Sequence, residues 1–172
     1  MVTSTRFRTV AAAAAIGFAI AGNAMAHGDG NNVRAASPGA NPEQKAFGIA
    51  GDAGKVSQTI DIDMSDELRF IPAALELQVG DTVRFRLRNR GNFVHELVIG
   101  TMPELQAHAA LMRKFPEMEH SEPHMAHVKP GDTEEIVWTF NRPGEFNYAC
   151  LVAGHFEAGM IGKVAVVSKE AA

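Results

Sequence analysis

The stretch Cys150-Leu-Val-Ala-Gly-His155-Phe-Glu-Ala-Gly-Met160 contains the only cysteine of the 172-residue chain. A histidine and a methionine follow it at intervals of five residues, and a glycine stands directly before each of them, where it lets the backbone turn sharply. A thiolate, an imidazole and a thioether are ligand types of copper sites. A lone cysteine or methionine is more often a packed hydrophobe. Three such residues in one glycine-punctuated turn favour a metal site.

A copper site of this kind needs a second histidine from a distant part of the chain, and His95 suits this role. It follows the turn signal Asn89-Arg-Gly-Asn92 and leads into the apolar run Leu97-Val-Ile99. Taken alone, His95 is as easily interpreted as a hydrogen-bonded core histidine. Together with the loop, it completes the trigonal arrangement of two histidines and one cysteine with a long axial methionine.

The pairing of His95 with Cys-x4-His-x4-Met, preceded by Phe70-Ile-Pro72 and Val79-Gly-Asp-Thr-Val83, resembles the cupredoxins, the type 1 (blue or green) copper proteins. The ligand spacing is similar to that of rusticyanin and auracyanin, and the likeness runs from Val56 to Val167. Within the family it is strongest to the periplasmic copper-tolerance cupredoxins of Gram-negative bacteria (CopI-type). Three segments carry that likeness: His95–Gly100, Glu104–Ala110 and Gly154–Met160.

The resemblance implies one type 1 copper ion as the cofactor. It assigns His95 and His155 as equatorial ligands, Cys150 as the thiolate and Met160 as the long axial ligand. No position then remains open for a substrate, so we expect a protein that is not an enzyme.

Short strands with turn signals between them follow from Lys55 onward and predict an all-β protein, a Greek-key β-sandwich of the cupredoxin fold. A capping-box pattern at Thr101–Glu104 predicts a short helix over 103–115. A Met/His-rich insertion follows the helix. Alternation places Trp138 and Phe140 on one face, in the core. The arginines at alternate positions 84 to 90 are more typical of a solvated face than of an anion site.

The N-terminal segment 1–26 has the pattern of a cleavable signal peptide, with Arg6 and Arg8, a short apolar run and the small-x-small site Ala24-Met-Ala26. An anchor helix is the alternative, but the apolar run is shorter than the about 20 residues that span a bilayer. We therefore expect an exported, periplasmic protein without stable membrane insertion. Residues 27–54 lack periodic hydrophobicity and predict a flexible leader, and 55–172 form the copper domain.

Charge and cysteine count exclude several classes of function. Segment 1–26 contains two arginines and no acidic residue, so its removal leaves 16 − 2 = 14 basic against 20 acidic side chains, a net charge of 14 − 20 = −6. A nucleic-acid-binding protein would need a clustered basic face, so we expect no such partner. A single cysteine forms no internal disulfide. We expect a monomer.

Further soft ligands suggest an additional, weaker copper site. The candidates are Met118, His120, His124, Met125 and His127 in the insertion, and His27, which signal cleavage would place beside a free amine. The alternative is that these histidines are solvated loop residues and that His27 lies in a disordered tail.

Two physiological roles fit the main site. The protein either cycles copper between its two oxidation states in copper handling and tolerance, or carries electrons between respiratory or photosynthetic partners. The Met/His-rich insertion favours the first. A metal-free interaction module is the third interpretation, and retention of all four ligand types disfavours it. We expect a redox partner to dock near His155, on an apolar rim of Leu151, Val152, Ala153 and Phe156.

Overall fold

The computed structural model describes residues 33–34, 42–116, 118 and 121–169. Within these ranges it contains one helix, α1 (Met102–Lys114), and a short 3₁₀ turn at Ala53–Lys55. None of the helices in these ranges has the length and apolar character needed to cross a membrane. The strands are β1 (Val33–Arg34), β2 (Ile49–Ala50), β3 (Gln58–Ser65), β4 (Arg69–Ile71), β5 (Ala74–Gln78), β6 (Asp81–Asn89), β7 (His95–Gly100), β8 (Met125–Val128), β9 (Thr133–Phe140), β10 (Gly144–Ala149) and β11 (Ile161–Val167).

The strands form two sheets that pack face to face. The first sheet has the order β1-β9-β6-β3-β4, and β2 adds to β9. The second has the order β5-β11-β10-β7-β8. The predicted all-β sandwich is confirmed.

The alternating pattern of β6 explains how the two faces of the first sheet differ. Val83, Phe85 and Leu87 are fully buried, together with Trp138 and Phe140 of β9, as predicted. Full burial of one such side chain contributes roughly 1.5–3 kcal/mol. The intervening arginines point outward into ion pairs.

Those ion pairs join β6 to its neighbours β3 and β9. Arg88 Nε lies 2.7 Å from Asp63 Oδ1, and Arg84 Nε lies 3.5 Å from Glu135 Oε2. The arginine charges are thus balanced along the sheet, which agrees with a solvated face. Ion pairs this exposed contribute at most about 1 kcal/mol each.

Helix α1 lies within one residue of its predicted bounds. The Glu104 carboxylate accepts a hydrogen bond from the backbone N–H of Thr101 at 3.0 Å, which satisfies a donor at the helix start. Leu105, Ala109 and Met112 form the buried face. They pack in a second apolar cluster with Val98, Met125, Ala149 and Leu151, so the helix covers the second sheet beside Cys150.

The N-terminal boundary differs from the prediction of a flexible leader over 27–54. Residues 47–51 of this segment pack on the sandwich: Phe47 is only 2% exposed, and Ala50 pairs with Trp138 of β9. The indole N–H of Trp138 donates to the Phe47 carbonyl at 2.9 Å. Two apolar anchors in a polar segment leave no periodic signal, which is why the sequence pattern missed them. The predicted signal peptide lies outside the described residues.

Candidate metal centre

Strand register brings His95 and Cys150 together at one end of the second sheet. β7 and β10 are antiparallel, with Val98 opposite Ala149. The start of β7 therefore lies beside the residue that follows β10, and these residues are His95 and Cys150. β11 pairs with the other side of β10, with Ile161 opposite Ala149, so the loop 150–160 closes between neighbouring strands.

Backbone hydrogen bonds hold the loop 150–160 in a compact shape. The Cys150 N–H donates to the Met160 carbonyl at 3.1 Å, and the Met160 N–H donates to the His155 carbonyl at 3.0 Å. Gly154 and Gly159 have φ values of 90° and 86°, a region that residues with side chains rarely adopt. These two glycines therefore permit the sharp turns predicted from the sequence.

Three of the predicted ligands form a cluster. One ligand atom from each of His95, Cys150 and His155 lies within 4.8 Å of the others, and this is the only such group of three or more His, Cys, Asp or Glu residues in the described part of the chain. Cys150 Sγ lies 3.3 Å from His155 Nδ1. His95 and Cys150 are fully buried, whereas His155 is half-buried. Met160 is also fully buried, in the same apolar cluster as Cys150.

The donor atoms of this cluster suit a bound metal ion. His95 Nδ1 is buried and has no hydrogen-bond partner among the described residues, and a buried polar atom is rarely left in that condition. Cys150 Sγ accepts a hydrogen bond from the backbone N–H of Glu96 at 3.3 Å, which orients the sulfur. A soft sulfur and two imidazoles match the ligand preferences of copper, and Met160, buried in the same apolar cluster as Cys150, offers a thioether as well.

The electrostatic surroundings keep Cys150 and His155 neutral without a metal. Burial raises the pKa of the Cys150 thiol to about 12, although hydrogen bonds from the backbone N–H groups of Glu96 and Val152 lower it. Burial also lowers the pKa of His155, and the neighbouring His95 lowers it further. A thiol and a neutral imidazole therefore face each other at neutral pH, and a cation that binds there displaces the thiol proton.

Asp66, in the turn between β3 and β4, is not among the site residues predicted from the sequence. Asp66 Oδ1 is 3.4 Å from His95 Nε2, and the same carboxylate accepts hydrogen bonds from the backbone N–H groups of Asn92 and Phe93. Asp66 is distant from His95 in the sequence, and its only signal is a turn-forming Ser-Asp-Glu between two strands.

The described residues proposed for an additional copper site have different surroundings. Met125 is fully buried in the second apolar cluster, and Met118 is exposed. His127 Nε2 lies 3.3 Å from the carboxylate of Glu96, which is fully buried. His27 and His120 lie outside the described residues. Within the described ranges, none of these histidines belongs to a group of three or more His, Cys, Asp or Glu side chains that could hold an ion.

His124 lines a cleft of about 130 Å³ beside the helix. Its Nδ1 atom is buried without a hydrogen-bond partner among the described residues. Burial lowers the pKa of His124 to about 4, against the opposing effect of Glu122, so the ring is neutral at pH 7. The other residues that line the cleft are Lys45, Phe47, Val98, Ile99, Gly100, Glu104, Leu105 and His108.

The apolar rim predicted around His155 is only partly present. Leu151 is buried in the second apolar cluster, because it follows β10 and points toward the helix, so its assignment to the rim is corrected. Val152 and Phe156 are half-buried and Ala153 is exposed. Phe93 and Val94 directly precede His95 and are 64% and 41% exposed. They add apolar surface to the rim predicted from the sequence.

Comparison with known proteins agrees with this geometry. Residues 56–167 match the copper binding proteins of the plastocyanin/azurin family. Over 120 residues, the chain is 48% identical to the copper-resistant cuproprotein CopI of Rubrivivax gelatinosus. This alignment covers 70% of this chain and 73% of that protein. It is 30% identical over 118 residues to the protein of the same name from Vibrio cholerae, covering 68% of this chain and 70% of that protein.

Solved structures of auracyanins share the fold. Dithionite-reduced auracyanin from the photosynthetic bacterium Roseiflexus castenholzii superimposes with a TM-score of 0.55 at 20% identity, covering 64% of this chain and 98% of that one. Auracyanin B superimposes with a TM-score of 0.57 at 20% identity, covering 74% of this chain and 99% of that one. At this identity the likeness establishes the architecture alone.

Proposed function

The chain belongs to the copper binding proteins of the plastocyanin/azurin family, and from this premise we propose that it is a one-electron copper protein that acts in copper tolerance. The ligands of its single type 1 copper are His95, Cys150, His155 and Met160. The observation that carries the proposal is the cluster of His95, Cys150 and His155 within 4.8 Å. The copper-resistant relatives support the physiological assignment.

Each ligand residue has a different role at the copper site. Copper, when bound, exchanges one electron between its +2 and +1 states. Cys150, once its proton has left, supplies the thiolate, and the Glu96 and Val152 N–H groups stabilise that charge. His95 would supply a buried imidazole, and Met160 would supply its thioether as the fourth ligand. Hydrogen bonds already fix the loop, so little rearrangement accompanies metal binding.

Burial determines where electrons enter and leave. His95, Cys150 and Met160 are inaccessible to solvent, and only His155 reaches the surface. A redox partner therefore docks around His155, against the apolar rim of Val152, Ala153, Phe156, Phe93 and Val94. With four ligands in place no position is left for a substrate, and the protein acts without catalysis.

The proposed setting is the periplasm, where the protein is a monomer exported by its N-terminal segment 1–26. The alternative role is a diffusible carrier between respiratory or photosynthetic partners. Deleting the gene separates the two: loss of growth in added copper with normal respiration supports tolerance, whereas slowed electron flow without copper sensitivity supports the carrier. Complementation with a Cys150→Ser variant shows whether the copper site is required.

A visible spectrum tests the metal centre directly. The purified protein with one equivalent of Cu(II) is expected to show an intense copper–thiolate absorption band, since Cys150 Sγ lies beside two imidazoles. Cys150→Ser removes the band, whereas Ser168→Ala on an exposed terminal segment leaves it unchanged. Copper binding without this band in the wild type would contradict the proposed ligand set.

We also propose a weaker accessory copper site in the cleft at His124. The unpartnered His124 Nδ1 supports it, and His108 lines the same cleft. Copper stoichiometry is expected to exceed one in the wild type and to fall in a His108→Ala, His124→Ala double variant with the visible band retained. A His27→Ala variant tests the N-terminal contribution separately. An unchanged copper stoichiometry in both variants would contradict the proposal of an accessory site.

A further inference from the structure

The turn between β3 and β4 contacts both segments that carry the metal ligands. On one side, Asp66 accepts hydrogen bonds from the turn that precedes His95. On the other, Arg69, which directly follows the turn as the first residue of β4, donates from Nη1 to the Ala158 carbonyl in the ligand loop at 3.0 Å. The turn contains Leu68 with a φ of 57°, a left-handed conformation that is uncommon for a residue with a side chain. One short turn therefore ties together two ligand segments that lie far apart in the sequence.

Asp66 makes an unusually dense set of contacts for an aspartate in a turn. Its Oδ2 atom accepts from the Asn92 backbone at 2.8 Å and from the Asn92 side-chain amide at 2.9 Å. Its Oδ1 atom lies 3.3 Å from the Phe93 nitrogen and 3.4 Å from His95 Nε2. A Cβ atom added at Gly91 would lie 2.1 Å from Asp66 Oδ1, so the carboxylate fills the space that this glycine leaves.

The Asp66 carboxylate reaches the His95 ring while it accepts hydrogen bonds from the turn that precedes this histidine. An acidic side chain thus faces the outer nitrogen of a proposed copper ligand. Turn capping explains the Asn92 and Phe93 contacts, but it does not require the carboxylate to approach His95 Nε2.

The two nitrogens of His95 have different surroundings. Both nitrogens are buried and neither makes a hydrogen bond within the described residues, but Nε2 lies 3.4 Å from Asp66 Oδ1. A carboxylate beside one imidazole nitrogen favours the proton on that nitrogen and leaves the other as a lone-pair donor. This is the arrangement that a metal ligand requires.

We propose that Asp66 is a positioning residue that holds His95 in its Nε2–H tautomer and biases the copper site toward the oxidised state. This inference rests on the proposed function, since it takes His95 as a ligand. A carboxylate partner raises the basicity of a ligating imidazole. Its negative charge also stabilises the more positive ion. Both effects strengthen Cu(II) binding more than Cu(I) binding, and both lower the reduction potential.

The test compares Asp66→Asn with the wild type and with the control Asp52→Asn. Asp52 also accepts a backbone hydrogen bond in a turn, from Gly54 at 2.9 Å, but it precedes the opposite end of β3. Loss of an outer partner of this kind weakens metal binding about 10–100-fold. We expect Asp66→Asn to weaken Cu(II) binding about tenfold relative to Cu(I), which raises the potential by about 60 mV for one electron. Asp52→Asn leaves the potential unchanged.

Two further readouts separate positioning from turn capping. Asp66→Glu restores the charge and is expected to recover part of the potential shift. In the Cu(I)-loaded wild type, ¹⁵N NMR is expected to show His95 protonated at Nε2, a measurement that requires no variant. An unchanged potential in Asp66→Asn, or a His95 proton at Nδ1, overturns the proposal. A wild type without the copper–thiolate band would instead overturn the proposed function.

Discussion

Cys150 combines complete burial with a need to become an anion when copper binds. Because its pKa is about 12, the thiol is still protonated at pH 8 in the metal-free protein. His155 has a lowered pKa and is neutral there. Binding of one copper ion at pH 8 is therefore expected to release about one proton. Calorimetry in two buffers of different ionisation enthalpy measures this number, and a value near zero would mean that the thiolate exists before the metal arrives.

His124 links the stability of the metal-free protein to pH. Its pKa falls from 6.5 to about 4 on folding, so between these values the unfolded chain binds more protons than the native one. Stability is therefore full above pH 6.5 and is lost as the pH falls toward 4, by about 3 kcal/mol for this group. His124→Phe is expected to flatten that part of the curve in urea titrations from pH 4 to 7. Parallel curves for the variant and the wild type would refute the assignment.

Helix α1 depends on the contact between Glu104 and Thr101 at its first turn. Loss of a helix-capping interaction costs roughly 1 kcal/mol. Glu104→Ala is therefore expected to lower the free energy of unfolding by about this amount, while Glu104→Gln, which keeps an acceptor oxygen, loses less. The visible band should keep its position in both variants, because the helix packs behind Ala149 and does not supply a ligand. Chemical denaturation and absorption spectra check the two expectations, and a shifted band in Glu104→Ala would contradict the second.

The parts of the molecule that the sequence predicted are those with local signals. The ligand loop was readable because its cysteine, histidine, methionine and glycines lie within one short stretch, and α1 because its cap and its apolar spacing coincide. Asp66 and Phe47 were missed for a different reason. Each acts through contacts distant in sequence, with His95 and Trp138 respectively. Only the strand register brings such residues together. A local sequence pattern does not specify which distant residues will be in contact.

The segment around Phe47 belongs to the folded sandwich and is not a flexible leader. Phe47 is its anchor. Its ring stacks on Trp138 with centroids 5.3 Å apart, and its carbonyl accepts the indole N–H. Removal of a buried phenylalanine side chain costs about 3–5 kcal/mol. We expect Phe47→Ala to lower the free energy of unfolding by about 3 kcal/mol in urea titrations of the metal-free protein.

Phe115→Ala is the matched control, because Phe115 is 58% exposed at the end of α1 and its truncation leaves no cavity. It should change stability by less than about 0.5 kcal/mol. If both variants lost equal stability, Phe47 would not be an anchor, and the folded domain would begin near residue 55 after all. If only Phe47→Ala lost stability, Phe47 would be an anchor. A truncated chain that begins at residue 55 would then expose Trp138 at the edge of the core. Such a chain should then unfold at lower urea concentration than the full-length protein.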